Sequence, residues 1–225
     1  MSRSLIADGR REKTSRTPLR RDPFTTIDQG PPPEKGATLP AASRLSYCYL
    51  AYLSQPSCER ILYRAIRRNR VRSIVEMGVA MGRRSKRLIQ VAQRYQDQGT
   101  IRYTGIDLFE DRPSHAPGMT LKRAYRTFRQ LGVRAQLVPG DPLSALARTA
   151  NLLVANVDML VIGADQDQVS LSQAWFYLPR LLHSDSLVFV EETSPGRGRT
   201  SYKVLGPAAV SQMAQQRSGG TRRAA

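Results

Sequence analysis

At 225 residues, 40% of them hydrophobic, the chain is long enough for one ordinary domain with a real core plus tails. No run approaches the roughly 20 apolar residues of a membrane span, and Met1–Asp8 has no apolar core of signal-peptide length, so neither a membrane nor an exported protein is expected, and the cytoplasm is the expected compartment. The formal net charge of +17 is unevenly spread: twelve bases face three acids between Arg44 and Thr100, and an arginine-rich face of this kind attracts polyanions, nucleic acid above all. The excess of arginine over lysine also fits the codon bias of a GC-rich genome. Cys48 and Cys58 read as reduced thiols rather than a disulfide.

In chain order, residues 1–42 are rich in Arg, Ser, Thr and Pro and read as a disordered basic tail. A domain is expected over 43–205. It opens with a short apolar helix or lid around Tyr47, Tyr49, Leu50, Tyr52 and Leu53, stopped at Pro56. Ser57 suits an N-cap for the next helix. In that helix Ile61, Leu62, Ala65 and Ile66 form the buried stripe, and Arg60, Arg64, Arg67 and Arg68 form a basic face. Strand and helix then alternate: a strand at 71–77, a helix at 83–95, a strand at 101–107, a helix at 119–131 closed by Gly132, a strand at 134–138, a helix at 143–151 and a strand at 157–162. A long helix carrying Leu171, Ala174, Trp175, Leu178 and Leu181 follows, then a strand at 186–190. His183 reads as the end of that helix, capping carbonyls. Ser201–Leu205 suits an edge strand, and 206–225 reads as a second, frayed basic tail. The pattern predicts an α/β fold: a Rossmann-like, doubly wound, mostly parallel sheet with helices on both faces.

The candidate site follows from that fold, because ligands of such sheets bind beyond the C-terminal strand ends. The first strand feeds its helix through Gly78 and Gly82, which leaves backbone N–H groups open at a helix N-terminus. The second strand ends in Asp107, where a ribose diol would lie. Glu76, Gly140, Asp141, Gly163, Asp165, Asp167, Glu191 and Glu192 complete the strand ends. Acids on an otherwise basic chain, with no Gly-Lys-Ser/Thr loop, disfavour a di- or triphosphate and suit a ligand with a cationic centre and hydroxyls. Asp141 and Asp167 fit helix capping equally well.

Over roughly Ser57–Thr193 the sequence resembles the class I S-adenosylmethionine-dependent methyltransferases, nearest to the catechol and caffeoyl-CoA type of small-molecule O-methyltransferase. Glu76-Met77-Gly78-Val79-Ala80-Met81-Gly82 is similar to the family's cofactor loop, Ile106-Asp107 to its ribose-binding acid, Gly140-Asp141 to its adenine contact and Ala164-Asp165-Gln166-Asp167 to the tail of its Asp-Ala-Asp-Lys-Asp motif. The resemblance implies S-adenosylmethionine as cofactor, held by Glu76, Gly78, Gly82, Asp107, Gly140, Asp141 and Gly163. It implies Asp165, Glu191 and Glu192 as candidate catalytic carboxylates acting on a small organic acceptor at oxygen. The departures concern mechanism. The family's first metal-binding aspartate falls on Gly163, its lysine on Gln166 and its later Asp-Asn pair on Glu191-Glu192, so no metal site is assigned. Two alternatives stay open: a non-catalytic Rossmann-like binding protein, and an RNA methyltransferase using the basic face. No oligomeric state is assigned.

Overall fold

The computed structural model describes residues 40–97, 99–194 and 200–221. The chain divides into two units, Met1–Glu34 and Lys35–Ala225, and every described residue belongs to the second. The expected tail 1–42 therefore lies outside the described residues up to position 39. At its end Ala42 is already buried and donates its N–H to the Gln90 carbonyl.

Six strands form one sheet in the order β3-β2-β1-β4-β5-β6. They are β1 (Ser73–Met77), β2 (Arg102–Asp107), β3 (Arg134–Pro139), β4 (Val157–Ile162), β5 (Leu182–Thr193) and β6 (Thr200–Leu205). All neighbours are parallel except β5 and β6, which pair antiparallel from Val188↔Leu205 to Thr193↔Thr200. The order reverses between β1 and β4, so the topological switch point lies where Met77 and Ile162 end side by side.

Helices α2 (Arg60–Asn69), α3 (Arg83–Tyr95) and α4 (Leu121–Gln130) bury their stripes on one face of the sheet, with Leu62, Ile66, Leu88, Ile89 and Phe128 in one core. Before them come α1 (Arg44–Cys48), a π-helical turn (Tyr49–Leu53) and a 3₁₀ turn (Ser57–Glu59). The opposite core takes α5 (Pro142–Thr149), α6 (Gln168–Ala174), α7 (Leu178–Leu181) and α8 (Pro207–Thr221). This is the predicted Rossmann-like, doubly wound α/β architecture.

Four expectations are corrected. Ser57 starts the 3₁₀ turn, and the N-cap position of α2 falls on Glu59, which makes no side-chain capping bond and accepts from the Tyr63 hydroxyl at 2.6 Å. The single long helix through Leu181 is two. Pro179 lacks an N–H and would clash with the preceding turn, so the chain breaks at 175–177 and restarts as α7. His183 is not a helix cap: it lies in β5, its Nε2 2.9 Å from Asp158 Oδ1. The tail expected from Gly206 is helical over Pro207–Thr221, because Val210 enters the second core with Ala209 and Met213 packed against it, and Ala214, one turn on, is buried too. Among the described residues no helix is long and apolar enough to cross a membrane.

Candidate functional site

The turn from β1 into α3 carries three left-handed residues in alternation: Gly78 (φ 91°), Ala80 (φ 49°) and Gly82 (φ 68°). Glycine adopts this conformation freely; alanine does so at a cost of about 1–2 kcal/mol. Ala80 uses it to aim its N–H at Asp107 Oδ2, 2.7 Å away. Phe109 is also left-handed (φ 52°) and donates its N–H to Asp107 Oδ1 at 3.0 Å. Two strained backbones converging on one carboxylate mark Asp107 as the centre around which these loops are shaped.

Asp107 is buried, and a third donor completes its shell. The 3₁₀ turn Phe109–Asp111 brings Arg112 back over it, with Nε 2.6 Å from Oδ1 and Nη2 2.7 Å from Oδ2. Burial opposes ionisation of Asp107, but Arg112 and the N–H groups of Phe109 and Ala80 outweigh it and hold the carboxyl below its ordinary range. The same contact to Asp107 raises the Arg112 guanidinium above its ordinary value. Arg112 Nη2 also reaches Asp165 Oδ2 at 2.9 Å, so one guanidinium bridges the end of β2 to the loop after β4.

A second arginine organises the other half of the site. Glu76 is fully buried on β1 and accepts from the Tyr103 hydroxyl (2.7 Å) and from Arg84 Nε (2.6 Å). Arg84, in the first turn of α3, further donates to the Gly78 carbonyl (2.9 Å), Glu191 Oε2 (3.0 Å) and the Tyr202 hydroxyl (2.9 Å). The Ala164 N–H also points at Glu191 Oε2, at 3.2 Å. Burial pulls against the charge on Arg84, yet Glu76 foremost, then Tyr202 and Glu191, raise its affinity for the proton well above the ordinary value. β1, β5 and β6 are thereby joined through one side chain.

The glycines matter for what lies against them. A Cβ on Gly78 or Gly163 would stand 2.7 or 2.8 Å from Asp165 Oδ1, and one on Gly82 would run into the Met119 methyl. The lack of a side chain at Gly163 lets the Asp165 carboxylate fold back over the switch point. Gly140 and Asp141 take another part. The Gly140 N–H bonds the Asp107 carbonyl at 2.9 Å, and Asp141 caps α5, accepting from Leu143 N–H (3.0 Å), Ser144 N–H (3.2 Å) and the hydroxyls of Ser144 and Ser170. Burial pushes this carboxyl up, but those bonds prevail and bring it down to about 2. Asp167 likewise caps α6 through Ser170 N–H.

Of the sequence-predicted residues, the strand ends bring together Glu76, Gly78, Gly82, Asp107, Gly163, Asp165 and Glu191. They do not bring in Glu192, which is exposed and, by strand alternation, faces away from Glu191. Arg84 and Arg112 were not anticipated as site residues. Their signal was position: Arg84 two residues past the glycine turn, Arg112 five past the strand-end aspartate. Among the described residues no group of three His, Cys, Asp or Glu could hold a metal ion.

The donor set suits an adenosyl ligand in kind: a buried carboxylate ending β2, a glycine turn and an open helix N-terminus. It suits it in place on one condition. Both oxygens of Asp107 are engaged by Arg112, so a ribose diol bonds there only when that guanidinium is released.

No family model matches the sequence, and no curated protein matches it. Among solved structures the chain is similar to the O-methyltransferase TomG from Streptomyces achromogenes, involved in tomaymycin synthesis and solved with SAM, at 17% identity over 78% of this chain and 77% of that one (TM-score 0.46). It is similar to a TehB-like SAM-dependent methyltransferase from Corynebacterium glutamicum, at 17% identity over 76% and 77% (TM-score 0.44). A third likeness, at 17% identity, is to an O-methyltransferase family protein from Burkholderia thailandensis; it covers 67% of this chain but spans only 41% of that protein (TM-score 0.44).

Proposed function

We propose that the chain is a cytoplasmic methyltransferase that binds S-adenosylmethionine at the switch point and methylates a small organic acceptor at oxygen. One observation carries the reading: the left-handed turn Gly78–Gly82 and the strand-end carboxylate of Asp107 meet through the Ala80 N–H, on the open side of a doubly wound sheet.

The roles follow from the contacts. Asp107 holds the ribose hydroxyls once Arg112 lets go, and Arg112 stays anchored through Asp165. The glycine turn and the first N–H groups of α3 receive the amino-acid portion. When bound, the cofactor supplies an electrophilic methyl group on a cationic sulfur. The chain's own contribution is to hold an acceptor hydroxyl in line and keep water away. Asp165, whose side chain is 45% exposed, takes the acceptor's proton. Glu191, held by Arg84 and less exposed, is the second candidate, and Glu192 faces away from it.

A second reading is a binding protein that keeps the fold without the transfer. It is favoured by one fact: Arg84 and Arg112 engage the carboxylates of Glu76, Glu191, Asp107 and Asp165 alike.

Calorimetric titration with S-adenosylmethionine and S-adenosylhomocysteine tests the proposal. Micromolar binding is expected for the wild type, loss for Asp107→Ala, and tighter binding for Arg112→Ala, which removes the competitor for the carboxylate. If no form of the protein binds either ligand, the methyltransferase reading fails. Binding by all but Asp107→Ala, with no methyl transfer to any acceptor in a broad screen, selects the second reading.

A further inference from the structure

A second concave surface lies away from the strand ends. It is a groove of about 910 Å³ between the π-helical turn at 49–53, the exposed side of α2 and the β5–β6 pair. Its floor is apolar: Leu187 on β5 and Val204 on β6, the latter 42% exposed and paired in register with Phe189. Its wall is Arg64, Arg67 and Arg68 on α2, and its rim is Tyr52, 52% exposed. No acid lines it. The Arg67 guanidinium carbon lies 5.4 and 6.0 Å from the ring centres of Tyr47 and Tyr95, which meet edge to face. The nearest carboxylate on the helix, Glu59, is committed to Tyr63 and Arg87.

We infer that this groove binds a single-stranded nucleic acid, phosphates against the α2 arginines and bases against Tyr52 and the apolar floor. The inference goes beyond methyl transfer and stands without it. The alternation of cation and flat apolar surface along one furrow is what a strand with exposed bases requires, and base stacking on aromatic rings is tolerant of sequence. Charge selects the occupant. A second copy of this chain would bring another +17, and the N-terminal segment up to Lys35, with eight bases against five acids, is itself basic. A duplex keeps its bases stacked inside and offers the floor nothing. An anionic membrane is flat and would meet only the rim.

The test is fluorescence polarisation of the full chain with a labelled mixed-sequence 12-nucleotide oligoribonucleotide, single-stranded or annealed to its complement. It is run at several salt concentrations, with co-flotation on phosphatidylserine-containing vesicles in parallel. The double variant Arg64→Ala/Arg68→Ala is expected to weaken single-strand binding about tenfold or more. It should flatten the log–log salt dependence by roughly 1.4, from about 0.7 per lost phosphate contact. Tyr52→Ala is expected to weaken binding several-fold at high salt, where stacking persists. The control, Arg123→Ala/Arg126→Ala, removes equal charge from the hollow on α4 and should change affinity less than threefold. Equal losses in groove and control variants, no loss in the groove variants, preference for the duplex, or capture by vesicles in place of the oligonucleotide would each overturn the proposal. Unchanged thermal melting of the variants keeps the comparison valid.

Discussion

At the scale of single residues, the site is defined by two arginines that each satisfy more than one carboxylate. Glu76 is wholly buried, so its charge is tolerated only because Arg84 and Tyr103 meet it. Arg84→Met strands that carboxylate and is expected to cost about 3–5 kcal/mol, whereas Arg84→Met combined with Glu76→Leu should recover much of the loss. Urea denaturation checks both, and a single variant as stable as the wild type would sink the argument. Asp141 gives a pH signature. Its folded-state value of about 2 lies below the ordinary carboxylate range, so its stabilising effect is complete above that range. The effect fades as pH falls from about 4 towards about 2. Asp141→Asn keeps a capping oxygen but removes the titration. Its melting temperature, measured against the wild type, should show a deficit at neutral pH that closes on acidification.

At the scale of elements, periodicity and punctuation were legible in the sequence and long-range partners were not. The glycine turn, Asp107 at the end of β2 and Gly132 after α4 could be read because each is imposed by local backbone geometry. Pro179 was equally visible, but its effect was masked by an apolar stripe that keeps helical spacing on both sides of the break. Arg112 was harder to read because a basic residue in a loop looks solvated from sequence alone: only the turn that returns it to Asp107, five residues back, and its second partner at 165, 53 residues away, make it part of the site. The C-terminal helix was missed for a related reason: its burial rests on Val210 and Ala214, too few apolar positions to stand out among Gln, Ser and Arg. That helix supplies the element-scale prediction. Val210→Asp puts an unpaired carboxylate into the second core and is expected to destabilise by more than about 2 kcal/mol, read as a lowered thermal midpoint. A change within about 0.5 kcal/mol would mean that the segment is loosely attached.

For the whole molecule, the basic charge and the acidic strand ends are separate features that the fold keeps apart. The arginines of α2 line one furrow with Tyr52, while Asp107, Asp165, Glu76 and Glu191 gather around Arg84 and Arg112. This separation explains why a net charge of +17 is compatible with a site of carboxylates. The fold class followed from the alternation of elements, but the occupancy of the site by the chain's own guanidinium groups could only be seen once the strands were in register.

The reach of Arg84 also ties the two ends of the domain to one charge. Its acceptors on Glu191 and Tyr202 lie 107 and 118 residues further along the chain. A polypeptide emerging from the ribosome N-terminus first can form the β1–α3 unit long before those partners exist. Without β5 and β6 the helix carries a cation with half of its four acceptors missing, beside Glu76, which among the described residues is paired with Arg84 alone. The charge balance of the N-terminal half is therefore complete only with the C-terminal strand pair in place.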